Sequence, residues 1–111
     1  MRITAQARDM VYGRGAAGIA ARLDLETREG WRVVTTVEAD SSGHLLDWEC
    51  GEFHRGLYRI VFDSDRYFVA LGLQAAYPDI TVIFRAIGEI DCQIQVAIAP
   101  YSYSTCFGVD G

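Results

Sequence analysis

The stretch GIAARLDLE, residues 18–26, sets Ile19, Ala21, Leu23 and Leu25 against the polar Arg22, Asp24 and Glu26. A period of two places successive side chains on opposite faces of an extended chain, so the stretch reads as a half-buried strand. The alternation recurs on both sides of it. RITAQARD (2–9) sets Ile3, Ala5 and Ala7 against Thr4, Gln6 and Arg8. WRVVTTVE (31–38), GLYRIVFD (56–63), DITVIFRAI (79–87) and DCQIQVAIA (91–99) are strand-length and rich in β-branched or aromatic residues. Near the end, PYSYSTCFGVDG (100–111) alternates Tyr101 and Tyr103 with Ser102 and Ser104. Turn signals stand between these runs: YGRG at 12–15, REG at 28–30, DSSG at 40–43 and YPD at 77–79. Only DSDRYFVALG (63–72) departs from the period. There Ser64 serves as N-cap, Asp65 sits in the first turn and Gly72 follows as a C′ glycine, which predicts one short helix. Seven or eight strands with one helix predict an all-β antiparallel sandwich forming a single domain over residues 1–111.

Composition narrows the function. Half the residues are hydrophobic and 12% are aromatic, enough for a true core. The ten cationic side chains are all arginine and are scattered, against a formal net charge of −5, so the basic footprint of a nucleic-acid partner is missing. The apolar runs are strand-length rather than membrane-spanning, and MRITAQARDM has no apolar leader core. Cys50, Cys92 and Cys106 show no C-x-x-C spacing, and three thiols cannot all pair within one chain. They read as reduced thiols of a cytoplasmic protein. His44 and His54 fall at no ligand spacing with a cysteine, so neither a metal nor another cofactor is expected.

Strand periodicity places Gln6 with Arg8, Gln93 with Gln95, and Ser104 with Cys106 on common faces. Three strands each offering a polar pair fit one shared wet surface; they fit equally three separately solvated faces.

Several of these segments resemble the transthyretin and 5-hydroxyisourate hydrolase family. DMVYGRGAAGIAARLDL resembles its first hairpin, GLYRIVFDSDRYF followed by AYPDITVIF its strand–helix–strand centre, and APYSYST its final strand. They occur in family order and spacing over essentially the whole chain. The resemblance implies an eight-stranded sandwich assembled as a homotetramer, a dimer of dimers. Ligand or active sites would lie in a channel between the dimers. It further implies that Gln6, Arg8, Gln93, Gln95, Ser104 and Cys106 face this channel, with His44 at its mouth and Asp9 in a structural position.

The family's hydrolase pattern is absent. Gln6 and Gln93 stand where the hydrolases carry histidines, and His44 stands where they carry an arginine. Cys106-Phe107-Gly108-Val109 replaces their terminal Tyr-Arg-Gly-Ser. Glutamine cannot act as a base, so ordinary 5-hydroxyisourate hydrolysis is not expected. The polar glutamines also differ from the largely apolar channel of the thyroid-hormone carriers. Three readings stay open. In the first, an enzyme acts on a different small, polar, cyclic metabolite by ring opening, ring closure or dehydration, using His44, Arg8 and Cys106. In the second, a non-catalytic binder holds a small molecule with Gln6, Gln93, Gln95 and Ser104. In the third, a true 5-hydroxyisourate hydrolase works with altered residues.

Overall fold

The computed structural model describes residues 1–46, 48 and 53–110. The chain runs through β1 (Ile3–Asp9), β2 (Arg14–Gly15), β3 (Ala20–Thr27), β4 (Gly30–Glu38) and β5 (His44–Leu45). It continues through β6 (Gly56–Phe62), α1 (Ser64–Ala70), β7 (Ile80–Ala86), β8 (Asp91–Ala99) and β9 (Ser102–Asp110). One sheet has the order β2-β1-β8-β9, with β5 also paired to β1, and the other has the order β4-β3-β6-β7. The sandwich with one short helix is as the alternation predicts.

Two features refine that expectation. β1 and β8 run parallel, from Ile3 opposite Cys92 to Asp9 opposite Ile98, so the sandwich is not wholly antiparallel. Period two fixes a face and carries no direction. A long crossover through the second sheet separates these two strands, so no tight turn forces them to oppose. In addition, the YGRG turn contains the two-residue β2, which pairs Arg14 with Asp9 and Gly15 with Arg8 and brings the described strands to nine.

The inward residues are those the alternation selects. Ile3, Ala5 and Ala7 of β1, Ala21 and Leu23 of β3, and Ile94, Val96 and Ile98 of β8 are buried. Tyr58, Ile60, Phe62 and Phe84 join them from β6 and β7, and Cys92 packs inward. Trp31 stays half-buried with the Arg59 guanidinium 4.4 Å from its ring centre. Trp48 is buried, and its indole N–H donates to the Ile3 carbonyl at 2.9 Å.

The helix cap differs from the sequence reading. Asp63, not Ser64, is the N-cap, and its carboxylate accepts the Arg66 N–H at 3.2 Å. Ser64 is buried as the first helical residue. The C-terminal end is a Schellman closure. The Leu73 N–H donates to Phe68 O and the Gly72 N–H to Val69 O, with Gly72 at φ 75°. Phe68 is fully buried and anchors the helix to the core, a side chain worth about 1.5–3 kcal/mol in apolar transfer.

Gly15 and Gly43 meet where β2 and β5 share the outer edge of β1. A Cβ on Gly43 would collide with the Ala7 carbonyl, and one on Gly15 with the backbone of Ser42. Gly43 also has φ 78°, in the region that favours glycine. This close crossing aims His44, the next residue, along β1.

Candidate functional site

The outward face of the first sheet carries the predicted polar residues in rows set by strand register. Gln6 of β1 lies opposite His44 of β5 on one side and Gln95 of β8 on the other, and Gln95 lies opposite Cys106 of β9. The row His44–Gln6–Gln95–Cys106 thus crosses four strands. One step along, Gly15, Arg8, Ala97 and Ser104 form a second row. One step the other way, Thr4, Gln93 and Gly108 form a third. Neighbouring rows are about 7 Å apart, two residues of extended chain.

These residues do not all share one hollow. Thr4, Gln6, His44, Gln93 and Gln95 line a depression of about 220 Å³, together with the apolar Leu46. Arg8, Ser104 and Cys106 lie outside it on the same face. Ser104 and Cys106 are exposed on the edge strand β9, and Arg8 is exposed one row from His44. Larger hollows, of about 330 and 310 Å³, flank the helix region around Asp63, where neither gathers the polar residues of the first sheet.

Local chemistry in the DSSG turn orients His44. The Asp40 carboxylate accepts the N–H groups of both Ser42 and His44 at 2.9 Å, an Asx-type closure. The Asp40 N–H in turn donates to the His44 carbonyl at 2.9 Å. The same carboxylate oxygen lies 3.8 Å from His44 Nδ1, with the two side chains 53% and 40% exposed. The His44 and Ser42 amides, aided by the nearby imidazole, hold the Asp40 carboxyl below its ordinary range. Sequence reading took DSSG only as a turn and missed this role. The signal was present as Asp, two serines, Gly and then His, an Asx turn whose fifth residue is the imidazole.

Asp9 secures the other end of the site. It is fully buried and accepts the Val11 and Tyr12 N–H groups at 2.8 and 3.1 Å and the Tyr67 hydroxyl at 2.7 Å. Burial and the Asp9 charge push the Tyr67 phenol up to about 12. This network fixes the β1–β2 turn and with it the strand that presents Gln6 and Arg8. It joins β1 to the helix, a tertiary link that no local pattern encodes.

Elsewhere on the surface His54, Glu38 and Asp40 are exposed. Cys50, Asp47, Glu49 and Glu52 lie outside the described residues. Among the described residues no group of three or more His, Cys, Asp or Glu side chains is placed to hold a metal ion. No described helix is long and apolar enough to cross a membrane.

The model of the HIUase/Transthyretin family matches residues 3–108. Among curated proteins, a probable 5-hydroxyisourate hydrolase of Schizosaccharomyces pombe is 25% identical over 111 residues, covering 96% of this chain and 90% of its own. A probable 5-hydroxyisourate hydrolase of Caenorhabditis elegans is 26% identical over 109 residues, covering 96% and 79%. Among solved structures, transthyretin from Sparus aurata superposes with a TM-score of 0.92 at 25% identity, covering 99% of this chain and 98% of that one. A sea bream transthyretin in complex with thyroxine matches equally, with a TM-score of 0.92, 25% identity and coverages of 99% and 97%.

Proposed function

The chain belongs to the HIUase/transthyretin family, and on that premise we propose that the polar face of its first sheet is a small-molecule site, retooled for a small, polar, cyclic metabolite. The observation that carries this reading is the hollow in which His44 meets Gln6, Gln93 and Gln95. Its volume of about 220 Å³ on one chain is room for one small ring. Each glutamine offers a carbonyl acceptor and an amide donor pair, so three together orient a heteroatom-rich ring.

The chemistry assigned to the site is acid–base. His44, steadied by Asp40, moves the proton in ring opening, ring closure or dehydration. Arg8, one row away, holds a ligand oxygen or developing negative charge through a charge-assisted hydrogen bond. Ser104 adds a hydroxyl, and Cys106 contributes a thiol contact. In the assembled protein this face becomes the wall of a channel between two dimers.

The second reading is a binder without turnover. It is favoured by the distance between Arg8 and the hollow, and by His44 being the one imidazole on this face. Two experiments separate the readings. Heteroatom-rich cyclic metabolites are first screened for binding, and each hit is then followed for chemical conversion. Conversion lost in His44→Ala supports the enzyme, whereas binding without conversion supports the binder. Freshly generated 5-hydroxyisourate serves as a third arm. No acceleration of its decay is expected, because Gln6 and Gln93 cannot act as bases, and a rate well above background would revive the ordinary hydrolase.

A further inference from the structure

The second sheet carries a different surface on its outer side. The outward positions of β6 are Leu57, Arg59 and Val61, and those of β7 are Thr81, Ile83 and Arg85. Not one is a carboxylate, in a chain whose formal net charge is −5. Register sets arginine against aliphatic side chain: Leu57 opposite Arg85, and Arg59 opposite Ile83. Beyond the strand ends, Arg55 and Ile87 join Leu57 and Arg85 around an open hollow of about 450 Å³. Ile83 and Ile87 are 57% and 74% exposed.

The arginines of this face divide into two kinds. Arg59 is committed, since it binds the buried Asp24 carboxylate at 2.6 Å and covers Trp31. Arg55 and Arg85 pair with no carboxylate among the described residues. Arg85 lies opposite Leu57 in the ladder, Arg55 immediately precedes β6, and the two arginines line the same hollow. An extended peptide repeats its side-chain direction every two residues, about 6.8 Å. Carboxylates at alternate positions of such a peptide meet both guanidiniums in bidentate geometry. The aliphatic side chains of Leu57, Ile83 and Ile87 then cover apolar residues of the same segment.

We propose that this face docks an acidic, partly apolar extended segment of another protein, gripped by Arg55 and Arg85. The surface lies on the sheet opposite the channel and is independent of the ligand reading above. Charge complementarity selects the partner, because an arginine pair that no carboxylate among the described residues engages attracts and orients anionic peptide.

The test uses the full chain and a fluorescein-labelled peptide of about ten residues alternating Glu and Val, followed by anisotropy. Saturable binding is expected at low salt, weakening roughly 10-fold or more at high salt, where charges are screened beyond a few ångströms. The double variant Arg55→Glu, Arg85→Glu is expected to weaken it by about 10-fold or more, and Arg55→Gln, Arg85→Gln by less. His44→Ala, on the other sheet, is expected to bind the peptide as the unaltered chain does. Circular dichroism establishes that each variant is folded, and the glutamine pair serves if the charge reversal is not. Absence of saturable binding, or binding indifferent to both double variants, overturns the proposal. So does capture by phosphatidylserine vesicles through the same arginines when the peptide fails to bind.

Discussion

The carboxylate of Asp40 accepts the backbone N–H of His44 at 2.9 Å while lying 3.8 Å from its Nδ1, so one acid fixes the main chain of the histidine and stands close to its ring. Asp40 does this from the i−4 position of a turn rather than from across the site. The ring therefore faces the three glutamines from a closed turn.

This pairing makes a first prediction on activity. For any substrate found by screening, His44→Ala is expected to lower turnover by about 10²–10⁴-fold, the usual contribution of a general acid or base. Asp40→Ala leaves the imidazole in place but frees its turn, so a smaller loss is expected. An Asp40→Ala variant whose rate matches the unaltered protein would show that the carboxylate plays no part.

How much of this was legible in the sequence follows from what alternation encodes. It chose the buried face of β1, β3 and β8 correctly, because a strand covered on one side must repeat its apolar residues every second position. It also put Gln6, Arg8, Gln93 and Gln95 on the outward face. Strand direction and neighbour order were not encoded, hence the parallel β1–β8 pair. The Asp9–Tyr67 hydrogen bond links residues 58 apart in the chain, and no local pattern announces a contact of that range. Asp24 shows the same limit: a polar position in an alternating strand is buried by arginines from its own strand and the next.

That aspartate supplies a second prediction, on stability. Asp24 is buried and takes Arg22 at 2.9 and 3.0 Å and Arg59 at 2.6 Å. Burial pushes its carboxyl up, but the two guanidiniums outweigh burial and hold it below the ordinary value of 3.8. A depressed carboxyl contributes stability above its unfolded pKa and loses it as pH falls through the folded one. Asp24→Asn is expected to cost about 3 kcal/mol at neutral pH, the low end for breaking a buried pair, because both arginines can still reach water. Urea unfolding should show this gap at pH 7 and show it closing below about pH 4. A gap that stays constant with pH would mean packing, not charge, carries the loss.

A third prediction concerns Tyr67. Its hydroxyl donates to the buried Asp9 at 2.7 Å, so Tyr67→Phe is expected to cost about 1.5–3 kcal/mol, the range for a hydrogen bond to a charged group. The phenol is raised to about 12, so its contribution is complete below the ordinary value of 10 and disappears as pH rises through 12. Subtracting the ultraviolet titration of Tyr67→Phe from that of the unaltered protein should give a midpoint near 12. A midpoint at 10 would show the hydrogen bond to be absent in solution.

The last prediction is assembly, argued from β9. Cross-strand partners point to the same face, and Cys92, Ile94 and Ile98 of β8 are buried. Their partners Val109, Phe107 and Tyr103 share that core-facing side, yet they are 60%, 45% and 42% exposed. β9 therefore carries an apolar inner face that the second sheet covers only in part, through the Phe84–Phe107 ring contact at 6.0 Å, and it is also the open edge of its own sheet. A partly covered apolar face on an unpaired edge invites pairing with another copy, and isologous pairing closes both defects at once. Light scattering at micromolar concentration should give about 49 kDa, four chains of 12.3 kDa. Val109→Arg places a charge on the exposed face without removing a described contact, and it is expected to shift the mass downward while circular dichroism stays unchanged. A monomeric unaltered chain would leave this edge bare in solution, and the channel proposed between dimers could not form.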